Sequence, residues 1–127
     1  MKYIRLWFPA IIWMAIIFAF SSRESVSVDE RFIINFLFFK TLHVIEYGVL
    51  FILYCRAIKN KWIAFFLTIA YASTDEFHQT FVSTREGRVR DVIIDGIGAT
   101  LSWIFLIKLL PKAPKKLREW GRRLEII

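Results

Sequence analysis

A chain of 127 residues has room for one domain, and with 57% hydrophobic and 17% aromatic residues it carries more apolar surface than a soluble domain of that size can bury, so a lipid-facing surface is implied. The net charge of +7 does not describe a nucleic-acid groove, because the basic residues lie between apolar runs and in the last twenty residues rather than among exposed aromatics. The single cysteine, Cys55, excludes an internal disulfide and a cysteine-built zinc site.

In chain order, Leu6 to Phe20 is an uncharged run, preceded by Lys2 and Arg5 and extended by Ser21 and Ser22. At about 1.5 Å per residue it can cross a bilayer. Ala19-Phe20-Ser21 has the small-x-small form of a signal cleavage site, but the remainder of the chain is not an exported soluble domain, so a membrane helix is the better reading. Ser22 to Arg31 is a polar loop. Phe32 to Cys55 is a second apolar stretch, interrupted by Lys40, His43 and Glu46, and Arg56 to Lys61 is a short basic turn. Trp62 to Ala72 is apolar and continues into Ser73-Thr74-Asp75-Glu76-Phe77-His78-Gln79. Ser83 to Arg90 is a loop with Arg85, Gly87 and Arg88. Asp91 to Leu110 is the fourth segment, and Pro111 and Pro114 end it. The pattern predicts an all-α, polytopic membrane bundle of four transmembrane helices over residues 1–110. A basic cytoplasmic tail over residues 111–127 should lie on the inner leaflet, with Leu117, Trp120 and Leu124 dipping inward.

Four spans put both termini on one side. Of the eighteen lysines and arginines, twelve fall on the flanks that share that side and six on the other: Arg23, Arg31, Lys40, Arg85, Arg88 and Arg90. The positive-inside rule then places both termini in the cytoplasm and the loops 22–31 and 80–90 outside.

On this topology, polar residues from separate segments converge near the outer face. Lys40 and His43 lie in the outer half of the second helix, with Glu46 and Tyr47 one turn deeper. Asp75, Glu76, His78 and Gln79 end the third, Arg85 and Arg88 lie in the outer loop, and Asp91 and Asp95 begin the fourth. Lys40, His43 and Tyr47 share one helical face, Asp75, His78 and Gln79 another, and Asp91 and Asp95 a third that continues through Gly98 and Ser102. Gly96, Gly98 and Ala99 permit close helix approach. Charge inside a membrane is expensive, so these stripes should face inward and pair. His43, Glu76, Asp91 and Asp95 are expected to meet, with Arg85 or Arg88 covering them. Asp95, a turn inside its helix, should matter more than Asp75, nearer the edge. The candidate catalytic residues are His43, Glu76, His78, Asp91 and Asp95. The candidate substrate-binding residues are Lys40, Glu46, Tyr47, Asp75, Gln79, Arg85 and Arg88. No run matches a strong metal motif and no metal ligand is assigned, although Glu76, Asp91 and Asp95 have the chemistry for a divalent ion. No cofactor is legible.

With these motifs the chain resembles the VanZ-like family of small bacterial integral membrane proteins. The resemblance rests on Phe20-Ser21-Ser22, on Lys40-x-x-His43-x-x-Glu46-Tyr47-x-x-Leu50, on Asp75-Glu76-Phe77-His78-Gln79-x-Phe81-Val82, on Arg85 and Arg88, and on Asp91-Val92-x-x-Asp95-x-x-Gly98-Ala99. It runs from about Trp7 to Leu110. At Ser83-Thr84-Arg85 the family more often shows a Pro-Gly-Arg turn. The family's namesake is linked to resistance to the glycopeptide teicoplanin, so the resemblance implies a cell-envelope role in the bacterial cytoplasmic membrane.

Two functional readings are open. In the first, an enzyme acts on a membrane lipid or lipid-linked cell-wall precursor: Lys40, Arg85 and Arg88 hold a phosphate or pyrophosphate, and the histidine–carboxylate set moves protons. In the second, the same charges bind a headgroup or dock a partner without chemistry. Nucleic acid is not an expected partner; a homo-oligomer is compatible with either reading.

Overall fold

The computed structural model describes residues 1–24 and 30–127. The expected loop from Ser22 to Arg31 therefore lies partly outside the described residues. Four long helices form: α1 (Lys2–Ser21), α2 (Phe32–Ile58), α3 (Lys61–Gln79) and α4 (Val89–Ile104). A π-helical turn (Phe105–Leu109) and a 3₁₀ turn (Leu110–Lys112) lead to a short α5 (Lys115–Arg123). The departure from α geometry coincides with Pro111, whose ring would clash with the carbonyl four residues back.

The helices run up-down-up-down. Contacts at the two ends fix this order: Ser21 at the end of α1 meets Asp75 near the end of α3, and Arg56 at the end of α2 reaches Arg5 at the start of α1. Lys59 adopts the left-handed conformation (φ 64°) that ends α2. Asn60 then caps α3, its Oδ1 accepting from the backbone N–H of Trp62 (3.0 Å) and Ile63 (3.1 Å).

α2 is the central helix and supplies most of the core, burying Tyr47, Leu50, Phe51, Tyr54 and Cys55. It runs parallel to α4, and the pairs Lys40–Asp91, His43–Asp95 and Phe51–Trp103 keep one register along both. Gly48 and Gly98 allow this closeness. A Cβ at Gly98 would lie 2.2 Å from the carbonyl oxygen of Val44, and one at Gly48 would lie 2.7 Å from Ser102 Oγ. Side chains also bind across to main chain: Trp13 Nε1 donates to the Glu46 carbonyl (2.8 Å) and the Tyr71 hydroxyl to the Met14 carbonyl (2.6 Å).

Large apolar residues remain exposed on every long helix, among them Phe8, Ile11, Phe38, Ile45, Phe66 and Ile97. In water such a surface would drive aggregation; against lipid it is what a span requires. Lys2–Ser21, Phe32–Ile58 and Val89–Lys112 are long and apolar enough to cross a membrane. α3, the remaining member of the expected four, has 19 residues and reaches the same two ends, but its last turns are the polar run Ser73 to Gln79. The chain is an all-α membrane bundle.

α5 folds back onto the end opposite Asp75. Gly121 is buried, and Arg56 Nε donates to the Leu124 carbonyl (2.8 Å) while Lys59 Nζ donates to that of Glu125. Pro9 leaves the Arg5 carbonyl without its helical donor, and Arg56 Nη1 supplies one (3.5 Å). Leu117, Trp120 and Leu124 remain exposed.

Candidate functional site

The polar run of α3 divides between two faces, because successive residues are turned by about 100°. Asp75 points toward α1 and α2. Its Oδ2 accepts from Ser21 Oγ (2.6 Å), the Tyr47 hydroxyl (3.0 Å) and Gln79 Nε2 (3.2 Å). Gln79 also donates to Ser21 Oγ (3.2 Å). Asp75 is 3% exposed and Asp95 0%, so both are buried, although Asp75 lies nearer the end of its helix. The i, i+4 return of the helix buries it together with Gln79.

Glu76 turns the other way, toward α2 and α4. There His43, Glu76 and Asp95 each bring a donor atom within 4.8 Å of the others. His43 Nδ1 lies 2.9 Å from Asp95 Oδ1, and Asp95 is fully buried. A carboxylate can only accept, so Nδ1 carries the proton in that pair and the ring's other nitrogen is left free to act. Glu76 Oε2 accepts the backbone N–H of Arg88 (3.2 Å). Gly87 makes that approach feasible, since a Cβ there would lie 2.0 Å from the Glu76 carbonyl oxygen.

Asp91 lies one turn before Asp95 and is held by Lys40 Nζ (2.6 Å), with Arg90 Nε at 3.6 Å. Lys40 and Asp91 thus form a second layer above His43 and Asp95, in the register of the parallel helices. The place of Asp91 in the first turn of α4 also sets its charge against the positive end of the helix dipole.

Three expected placements are corrected. Arg85 does not cover the carboxylates: its Nε donates to the Arg23 carbonyl (2.6 Å) and its Nη2 to that of Phe20 (3.3 Å), tying the loop to the end of α1. Free carbonyls at a helix end attract a guanidinium. Arg88 reaches the cluster only through its backbone, while its guanidinium pairs with Glu86. His78 stands apart from His43, stacked on Phe18 (4.5 Å between centroids) with Nε2 3.0 Å from Ser22 Oγ. Glu46 is half-buried, and its carboxylate belongs to neither hydrogen-bonded set.

A cavity of about 430 Å³ opens beside the histidine pair, lined by Lys40, His43, Gln79, Arg85 and Asp91 together with Phe32, Phe36 and Phe39. Sequence reasoning passed over these phenylalanines. Their signal was present: Phe32, Phe36, Phe39 and Lys40 fall on one face at i, i+4, i+7 and i+8. Ser21 entered as a helix end and a motif position but not as a site residue, Arg90 only as an outer charge, and Gly48 was not singled out.

A family model described as VanZ/LLP1 matches residues 6–110. The chain belongs to the VanZ/LLP1 family. No curated protein and no solved structure matches it. The VanZ/LLP1 match contains both polar sets and ends at Leu110, before α5 begins. The match and the three apolar helices together make this a membrane protein.

Proposed function

We propose that this VanZ/LLP1 protein works in the bacterial cell envelope, where its site takes the phosphate- or pyrophosphate-bearing head of a membrane lipid or lipid-linked precursor and acts on it. One observation carries the reading: the cavity beside His43 offers Lys40 and Arg85, with the carboxylates of Asp91 and Glu86 also in its wall, and is apolar at Phe32, Phe36 and Phe39. An amphiphile with an anionic head and a hydrocarbon tail satisfies both walls. Lysine and arginine hold phosphate oxygens, and the aromatic rings accept the chain that carries them. His43, oriented by Asp95 through one ring nitrogen, would use the other to move a proton to or from the head. The charge asymmetry supports an orientation with the termini cytoplasmic and the cavity outward, where cell-wall precursors are used. The family's link to glycopeptide resistance agrees with that side.

Comparative lipid mass spectrometry tests this. Cells with the protein, without it, and with His43→Gln are extracted and their phosphate-bearing lipids compared. The expected result is one lipid-phosphate class altered by the native protein and unaltered by the variant. Identical profiles in all three would reject the enzymatic form and leave the binding form, which Lys40→Gln and a lipid-binding assay would then test.

A further inference from the structure

We propose that His43, Glu76 and Asp95 form a binding site for a single divalent first-row cation such as Mn²⁺ or Zn²⁺. The three residues come from α2, α3 and α4, and each offers a donor atom within 4.8 Å of the other two. An imidazole nitrogen with two carboxylate oxygens is a donor set that suits such ions.

The second observation is independent of that spacing. Asp95 is fully buried and Glu76 is 4% exposed, yet Asp95 Oδ2 and Glu76 Oε1 have no hydrogen-bond partner among the described residues. Buried carboxylate oxygens are costly to leave unpaired. Glu76 Oε2 is already occupied by the Arg88 N–H, while Asp95 Oδ1 faces His43 Nδ1, which would give up its proton and become the imidazole ligand when the ion enters. The Arg88 bond orients Glu76 as an outer-shell partner orients a metal ligand, and each carboxylate keeps one free oxygen. Lysine does not answer the charge, because Lys40 is paired with Asp91. A divalent ion would balance Glu76 and Asp95 together.

Three protein ligands leave coordination positions open for water or a substrate oxygen. Use of those positions to polarise a phosphate rests on the function proposed above; binding of the ion does not. Of the carboxylates that have the chemistry for a divalent ion in the sequence, Glu76 and Asp95 lie in this cluster, whereas Lys40 pairs with Asp91 and His43 stands in its place.

The test uses the full chain in detergent, stripped with a chelator and titrated with Mn²⁺ while free Mn²⁺ is read by electron paramagnetic resonance. About one saturable ion per chain is expected, displaced by Zn²⁺. Glu76→Gln and Asp95→Asn should each weaken binding at least about tenfold. Glu119→Gln, an exposed carboxylate on α5 at the other end of the bundle, should leave it unchanged. On the wild-type protein, electron spin echo modulation should show an imidazole nitrogen coupled to the bound Mn²⁺, a readout that needs no variant to fold. Failure of the wild type to bind either ion at millimolar concentration overturns the proposal. So does equal loss in Glu119→Gln, or bound Mn²⁺ with no coupled nitrogen. None of these results bears on lipid binding, which the mass-spectrometric comparison decides separately.

Discussion

Asp75 and Asp95 are both buried carboxylates, but they are served differently, and their substitutions should report different things. Asp75 Oδ2 collects three neutral donors from α1, α2 and α3. Asp75→Ala would strand Ser21, Tyr47 and Gln79, at about 1–3 kcal/mol for each donor left unsatisfied. Tyr47→Phe removes a single donor and should cost about 1 kcal/mol. Thermal unfolding in detergent should therefore rank Asp75→Ala well below Tyr47→Phe; equal midpoints would show that the three bonds do not join α1 to its neighbours. Asp95 has one imidazole partner, so Asp95→Asn keeps the shape while removing the acceptor charge that orients His43. Its larger effect should be on function, of the order of 10²-fold or more if His43 performs acid–base work. In the lipid-extraction assay it should resemble His43→Gln.

At the scale of the helix, the parallel α2–α4 contact sets the spacing of both charged layers. Gly98 lies three residues after Asp95 and packs on the backbone of Val44, next to His43. Gly98→Ala would push a methyl to 2.2 Å from a carbonyl oxygen that cannot move aside. The expected cost is about 1–3 kcal/mol of overpacking, and also a wider His43–Asp95 separation. Native stability together with full Mn²⁺ affinity in Gly98→Ala would refute this account of the contact. The same contact shows what the sequence made legible. The stripe Asp91, Asp95, Gly98, Ser102 was readable from helical spacing, and so was the face carrying Lys40, His43 and Tyr47. That the two faces meet was expected from their common depth; the individual pairs, Lys40 with Asp91 and His43 with Asp95, were not legible, because spacing assigns a residue to a face without naming its partner. Glu76, expected beside His43 and Asp95 and left off the face of Asp75, His78 and Gln79, does meet both; the limit shows at His78, which rests on Phe18 although it was counted with the catalytic set. The arginines were misplaced for a related reason. Composition shows that carboxylates need cations, but the carbonyls at the end of α1 competed for Arg85 and won.

For the molecule as a whole, the polar sets lie at one end and the docked α5 at the other. Orientation in the membrane is a prediction from the charge asymmetry. Ser83→Cys, at an exposed loop position, should react with a membrane-impermeant maleimide added outside intact cells, while native Cys55, buried in the core, stays silent. Labelling only after the cytoplasmic side is opened would invert the topology and remove the argument for an outward cavity. Removal of the residues after Pro114 should lower the thermal midpoint by several degrees, since it breaks the contacts of Arg56 and Lys59, yet leave Mn²⁺ affinity intact at the far end. Loss of Mn²⁺ binding in that truncation would show that the two ends are coupled. The manner of that docking has its own consequence. Arg56 and Lys59 grip main-chain carbonyls, which every amino acid provides, whereas the Glu125 side chain meets Arg5 in an exposed pair of little worth. The tail is thus spelled more in length than in letters: residue 124 can drift in identity at small cost, and residue 125, at φ 58°, is restricted only to residues that tolerate the left-handed region, whereas one residue inserted into α5 would turn both carbonyls by about 100° and release the grip.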